Sequence, residues 1–233
     1  MSSTAWAGSD NECRFVVEYT MFPKSKVFAH RGLHSLETPA NSIAALFDAL
    51  ERGFSIETDI RDSYGQIVIE HNPRELLLSE QLSLSTLLKI KRDNNQTLAL
   101  NVKSDGLLDI RPSENFGKHF YFDMSGPETL RYMKASVPIA MRVSEYENEA
   151  SAIPREIATW VWLDSFEGDW FLKHDADLGF LIKPTVVVSP ELHGREPEAA
   201  WNWVASKYLE GNDVSICTDL PNEFLAHVNE AEV

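Results

Sequence analysis

Along most of the chain, short apolar and β-branched runs alternate with stretches in which apolar residues recur at helical spacing. Eight runs read as strands, at residues 26–30, 55–61, 97–103, 119–123, 138–142, 159–164, 185–189 and 214–218. Between the first two lies a well-marked helix. Ile43, Leu46, Phe47 and Leu50 fall at i, i+3, i+4 and i+7, with Asn41 or Ser42 as the N-cap and Gly53 just past the end. Further helical patterns cover 83–92, 127–135 and 197–209, a poorer one lies near 170–177, and a tail helix at 222–228 would close the cycle. Strands interleaved with helices in this number predict a single-domain (β/α)8 barrel over residues 21–233. Residues 1–20 precede the regular pattern and are expected to be a leader, an extra strand or an artefact of the start codon, since Met21 opens the cycle.

The polar positions cluster where such a barrel would have its mouth, at the C-terminal ends of the strands. Glu57 and Asp59 are two apart and share one face of the second strand, while Ile56 and Ile60 take the other. Asn101 and Lys103 share a face of the third, opposite Leu98, Leu100 and Val102. A lysine pointing inward is costly unless a negative group meets it. Asp123, Arg142 and Asp164 end later strands, and Trp160, Trp162 and Asp164 alternate against Val161 and Leu163. The strand starts are apolar or turn-like, so one end carries the chemistry. Two histidines and two carboxylates, His30, His71, Glu57 and Asp59, lie within one 42-residue window. That set reads as acid, base and metal site for a phosphodiester, which needs a cation on its non-bridging oxygens and proton transfer at both reacting oxygens.

Composition narrows the partners. The chain has 233 residues, 43% of them hydrophobic and 24% charged, enough for a substantial core in one domain. A net charge of −15 argues against a general nucleic-acid or anionic-membrane surface, so an anionic substrate would need local positive charge. Neither a membrane-span-length apolar run nor a signal-peptide pattern is present, and a soluble cytoplasmic protein is expected. Cys13 and Cys217 offer neither a disulfide scaffold nor a zinc cluster and read as passive thiols.

Taken in order, these residues resemble the glycerophosphodiester phosphodiesterases and the related phosphatidylinositol-phospholipase-C-like barrels. Ala29-His30-Arg31-Gly32 resembles the first-strand motif, and Pro39-Ala40-Asn41-Ser42 the helix start. The run at 56–73, IETDIRDSYGQIVIEHNP, resembles the Glu-x-Asp strand, turn and His-Asp strand end. Asn101-Val102-Lys103 stands where Glu-x-Lys is usual, and Thr218-Asp219-Leu220-Pro221 matches the final-strand Thr-Asp-x-Pro. The resemblance implies a phosphoric diester hydrolase acting on a small glycerophosphodiester-like substrate. It implies a divalent cation, Mg2+ or Ca2+, held by Glu57 and Asp59, with His30 and His71 as general acid and base. Arg31 would then bind a phosphate oxygen bidentately and Lys103 supply a point charge. Asn101, in place of glutamate, removes one negative charge from the metal site but keeps an amide oxygen, and Asp123 is expected to compensate. Ala40 and Asn72 replace two further carboxylates of the pattern. Trp162, Asp164 and Arg142 are the expected substrate-pocket residues, and the loop at 189–195 is a substrate loop with no assigned partner. His34, His119, His174, His193 and His227 read as surface or capping residues.

Three other readings stay open. A barrel relaxed at Asn101 and Ala40 would bind phosphorylated ligands without hydrolysing them. A phospholipase acting on lipid head groups would want an exposed apolar or basic surface. A glycosidase using Glu57 and Asp59 is disfavoured, because residues two apart on a strand project in parallel instead of flanking a bond.

Overall fold

A computed structural model of the chain describes residues 21–73, 81–90, 93–112, 117–147, 158–173 and 179–230. The strands are β1 (Val27–His30), β2 (Ser55–Ser63), β3 (Gln66–Ile69), β4 (Leu98–Val102), β5 (His119–Phe122), β6 (Ala140–Val143), β7 (Trp160–Leu163), β8 (Thr185–Val188) and β9 (Val214–Thr218). The helices are α1 (Ile43–Glu51), α2 (Leu84–Leu87), α3 (Leu107–Ile110), α4 (Gly126–Lys134), α5 (Glu198–Leu209) and α6 (Pro221–Glu230). Eight strands run parallel in the order β5-β4-β2-β1-β9-β8-β7-β6. The two edge strands meet through a parallel bridge, Tyr121 to Ile139, with Tyr121 N donating to Pro138 O at 3.0 Å. The result is a nearly closed single-domain (β/α)8 barrel, and each of the eight runs read as a strand is one of its staves.

β3 is additional to those eight. It folds back antiparallel on β2 through Tyr64 and Gly65, both at positive φ (46° and 75°), the two-residue turn whose twist suits a hairpin. Its return leg brings Glu70 N to within 3.1 Å of Asp59 O, so the chain at His71 re-enters at the height of the β2 carboxylates.

The helices depart from expectation in three places. α1 begins on Ser42, whose side chain accepts from Ala45 N, so Ser42 is the cap and Asn41 is free for another task. The helix buries Ala45, Leu46, Ala49 and Leu50, while Ile43 and Phe47, expected in the apolar stripe, are nearly half exposed. The reason is the closeness of the turn after β1. A Cβ on Gly32 would lie 2.5 Å from the Ala45 carbonyl carbon, and only a face with small side chains can pack so near. The pattern at 83–92 yields a short helix, Leu84–Leu87, capped by Ser83, and residues 91–92 lie outside the described ones. The pattern near 170–177 yields a 3-10 turn at Trp170–Lys173, with 174–178 again outside. The leader at 1–20 also lies outside the described residues. Among the described residues no helix is long and apolar enough to cross a membrane.

Two apolar layers follow from strand alternation. One fills the space between barrel and helices, and includes Ile56, Ile60, Leu98, Leu100, Val161, Val187 and Ile216 from the strands with Leu46, Leu50, Val204 and Phe224 from α1, α5 and α6. The other plugs the barrel interior with Phe28, Ala99, Phe120, Phe122, Ala140, Trp162, Val186, Val188 and Cys217. Phe122 and Trp162 stack with centroids 4.1 Å apart and form the floor beneath the mouth. Cys217 lies inside this plug, where burial pushes its thiol pKa well up, in keeping with a passive thiol. A cavity of about 610 Å³ opens at the opposite end, against the strand starts, lined among others by Lys26, Phe28, His119, Trp160 and Asp213. None of the candidate chemical residues lines it.

Candidate active site

β1 ends at His30, and the chain then reverses through Arg31 at φ 56° and Gly32 at φ 84°. A left-handed arginine costs on the order of 1–3 kcal/mol and persists only where its surroundings fix it. Here Arg31 N donates to Glu57 O at 2.9 Å and Arg31 O accepts from Asn41 N at 2.9 Å. The strain turns the Arg31 side chain back over β2, where Nε lies 2.8 Å from Asp59 Oδ2. That approach is poorly aligned for a hydrogen bond and acts as an ion pair.

Asp59 is fully buried and densely served. Asn41 Nδ2 donates to Asp59 Oδ2 at 2.8 Å, Lys103 Nζ lies 3.2 Å from Oδ1, and the Asn41 carbonyl oxygen accepts from Thr58 Oγ1 at 2.7 Å. Glu57 is equally buried, and among the described residues no lysine or arginine pairs with it. Its ion-pair contact is His30, with Nε2 3.8 Å from Oε2. Burial is the largest influence and raises its pKa from 4.5 to about 7, helped by Asp59 and opposed by His30, Arg31 and Lys103.

His30 is clamped from both sides. Nδ1 lies 2.8 Å from Asp219 Oδ1, and since an ionised carboxylate only accepts, that nitrogen carries a proton. Burial alone would lower the His30 pKa, but the Asp219 hydrogen bond and the charges of Glu57 and Asp219 outweigh it, and the net shift is upward. For Asp219, burial raises the pKa, yet its contacts with His30 and His34 prevail and hold it below the ordinary value. His30 therefore lies between Glu57 and Asp219, and these two acidic side chains favour its protonated form.

His71 follows β3 and packs its Nδ1 2.8 Å from Asn72 Oδ1, while its carbonyl accepts from Arg61 Nη1 at 3.2 Å. The amide fixes the ring and leaves Nε2 without an internal partner among the described residues. His71 and His30 thus stand at the same end of the barrel, on neighbouring segments. No direct hydrogen bond joins His71 to His30, Glu57 or Asp59 among the described residues.

Whether the carboxylate group suits a divalent cation can be judged from its unpaired atoms. Glu57 Oε2, Asp59 Oδ1 and Asn101 Oδ1 are all buried oxygens without a hydrogen-bond partner. They project from one face of two adjacent strands, with Asp59 and Asn101 in register. Three hard oxygen donors that accept no hydrogen bond in a buried position match what Mg2+ or Ca2+ binds, although Lys103 Nζ already lies 3.2 Å from Asp59 Oδ1. The residues fit the group. Asp123 does not join them. It sits at φ 64° with its carboxylate held by Arg142, and the amide oxygen of Asn101 stands alone in the place of the missing carboxylate.

The expected pocket residues form a second cluster on the far side of the mouth. Arg142 pairs with Asp123, lies 3.5 Å from Asp164 Oδ2 and covers the Phe166 ring at 5.4 Å. Asp164 also takes His193 Nε2 at 2.8 Å. Trp162 differs from its expected place beside the ligand. It is 4% exposed, with one face stacked on Phe122, and serves as floor more than wall.

Sequence reasoning gave no site role to Asn41, His34 and Asp219, and reached Glu191 and His193 only as members of the loop at 189–195. Asn41 was read as a possible helix cap, and Asp219 lay inside a quoted motif without a role. Glu191 accepts from Thr218 Oγ1 and from Asp219 N at 3.2 Å, which ties the substrate-loop candidate to the end of β9. His34 contacts Asp219 Oδ1 at 3.0 Å. Its signal was the spacing of four from His30.

No protein-family model and no curated protein matches the chain. Solved structures do. A glycerophosphodiester phosphodiesterase of Parabacteroides distasonis aligns over 91% of this chain and 99% of its own, with a TM-score of 0.62 at 18% identity. This chain has the glycerophosphodiester phosphodiesterase fold. A glycerophosphoryl diester phosphodiesterase, also of Parabacteroides distasonis, aligns over 91% of this chain and 88% of its own, with a TM-score of 0.62 and 13% identity. One from Agrobacterium tumefaciens covers 87% and 98%, with 0.55 and 16%. The barrel brings His30, Arg31, Glu57, Asp59, Asn101 and Lys103 to the C-terminal ends of its strands, the end at which (β/α)8 barrels in general carry their active sites.

Proposed function

We propose that the chain is a divalent-cation-dependent phosphodiester hydrolase acting on a small glycerophosphodiester. The observation that carries this reading is the pairing of a doubly clamped His30 with three buried oxygens that accept no hydrogen bond, Glu57 Oε2, Asp59 Oδ1 and Asn101 Oδ1, at the barrel mouth. When bound by Glu57, Asp59 and Asn101, a Mg2+ or Ca2+ ion supplies positive charge to the non-bridging phosphate oxygens. Arg31 commits only Nε to Asp59, so its outer guanidinium nitrogens are free to bind a phosphate oxygen bidentately. Lys103 Nζ, about one-fifth exposed beside Asp59, adds a further charge on the same side. His30, whose protonated form Asp219 and Glu57 favour, gives its Nε2 proton to the leaving alcohol oxygen. His71 Nε2, left open by the Asn72 contact, takes the proton of the attacking hydroxyl. The Arg142, Asp123, Asp164 and His193 cluster faces the leaving alcohol and selects it by hydrogen bonding.

The test is hydrolysis of a panel of glycerophosphodiesters and sugar phosphodiesters in Mg2+, Ca2+, Mn2+ or chelator. Turnover of at least one glycerophosphodiester that ends on chelation supports the reading. Tight binding of phosphorylated compounds with no turnover under any cation would replace it with a binding module.

A further inference from the structure

We propose that His30, His34 and Asp219 form a second metal site, one that takes Zn2+ or a similar nitrogen-seeking ion and inhibits the enzyme by capturing His30. The inhibitory half rests on the proton-transfer role given to His30 above; the metal site does not.

Nδ1 of His30 and Nε2 of His34 converge on a single oxygen of Asp219, at 2.8 and 3.0 Å. The three donor atoms all lie within 4.8 Å of one another. Ligands of a tetrahedral zinc stand about 3.3 Å apart, given bonds of about 2.0–2.1 Å, so the Asp219 oxygen needs to move away from each nitrogen by only a few tenths of an ångström. The half-exposed Asp219 can give that much. The turn that brings the histidines together is fixed independently of any ion. Gly32 N donates to Ala29 O at 3.2 Å, Leu33 N to Ala45 O at 2.9 Å, and Gly32 is pressed against the α1 backbone. The spacing His-x-x-x-His also matches a common zinc-ligand interval. The Asp219 backbone is secured in turn by Glu191.

Two neighbouring sites would thus differ in chemistry. Glu57, Asp59 and Asn101 offer oxygens only and suit Mg2+ or Ca2+. The His30, His34 and Asp219 set offers two imidazole nitrogens and one oxygen, which favours later first-row ions, and leaves a fourth position to water. The two sites touch opposite nitrogens of His30. Zn2+ at Nδ1 displaces the proton there to solvent, and at His34 it takes the Nε2 lone pair while the ring proton moves to Nδ1. His30 is then left with one proton, on Nε2, and no lone pair with which to regain a second. A group that must cycle between one and two protons in each turnover is stopped.

The experiment compares wild type with His34→Ala in excess Mg2+. Zn2+ is titrated against a chromophoric zinc chelator, Co2+ is added to read its ligand-field bands, and hydrolysis is followed in parallel. Wild type is expected to bind one equivalent that survives Mg2+, His34→Ala to bind about tenfold or more weakly, and Zn2+ to inhibit wild type while the turnover of His34→Ala, whatever its level without Zn2+, does not fall as Zn2+ is added. Equal Zn2+ affinity in both proteins would overturn the site. Zn2+ binding that depends on His34 but leaves hydrolysis untouched would overturn the inhibition. If wild type shows no hydrolysis at all, the functional reading fails and the binding comparison still decides the metal site.

Discussion

Glu57 is the residue whose replacement tells most. It is 1% exposed, no lysine or arginine pairs with it among the described residues, and its carboxyl is raised from 4.5 to about 7 by burial first and by Asp59 next. The sign follows from proton counting. Between these two values the folded chain holds a proton that the unfolded chain has lost, so stability from this group is full below 4.5 and drains away as the pH rises through about 7. At 1.36 kcal/mol per pKa unit the drain approaches ~3 kcal/mol, of which about 2–3 kcal/mol falls between pH 5 and pH 8. Glu57→Gln removes the titration while keeping the shape. In chelator, the stability of Glu57→Gln relative to wild type should therefore climb by that amount over this range, read by urea denaturation at each pH, or by melting as a shift of roughly 5–10 °C. Adding Mg2+ or Ca2+ should restore wild type at high pH and leave Glu57→Gln unmoved. A difference between the two proteins that stays constant from pH 5 to pH 8, with equal stabilisation by the cation, would refute the picture of an under-compensated carboxylate awaiting a cation.

Other consequences can be checked as directly. Asp219→Asn removes the largest influence that raises the His30 pKa, so the alkaline limb of the hydrolysis profile should move to lower pH; an unmoved limb would separate Asp219 from His30 in catalysis. Gly32→Ala puts a methyl 2.5 Å from the Ala45 backbone at φ 84°, and a loss of about 3 kcal/mol or more is expected in chemical denaturation. Arg31→Lys should raise KM for the phosphodiester more than it lowers kcat, since a lysine cannot offer the paired nitrogens.

The barrel was legible because alternation and helical spacing are local signals that survive tertiary packing. The eight staves and α1, α4, α5 and α6 announced themselves in this way. α1's buried face was misjudged because closeness to Gly32 favoured Ala45 and Ala49 over the larger Ile43 and Phe47, a constraint that only the packed turn reveals. The carboxylate pair on β2 could be read from its spacing of two. Asp219 and His34 were not read as partners of His30, because the three meet only after β9 has come to lie beside β1, with Phe28 opposite Cys217 and Ala29 opposite Thr218. Asp123 looked like a replacement ligand for Asn101 on strand order alone. The cationic Arg142 on the next strand claims it instead, and that pairing depends on where two strand ends fall in height.

The central claim is that the side chains at this mouth transfer protons to and from a phosphodiester. It is tested most directly by following the phosphorus resonance of a glycerophosphodiester with wild type, His30→Ala and His71→Ala, each in saturating Mg2+ or Ca2+ and each verified as folded. The account predicts conversion of the diester signal to monoester or cyclic phosphate by wild type and a loss of at least about a hundredfold in rate for each variant. Conversion by both variants at the wild-type rate would contradict it.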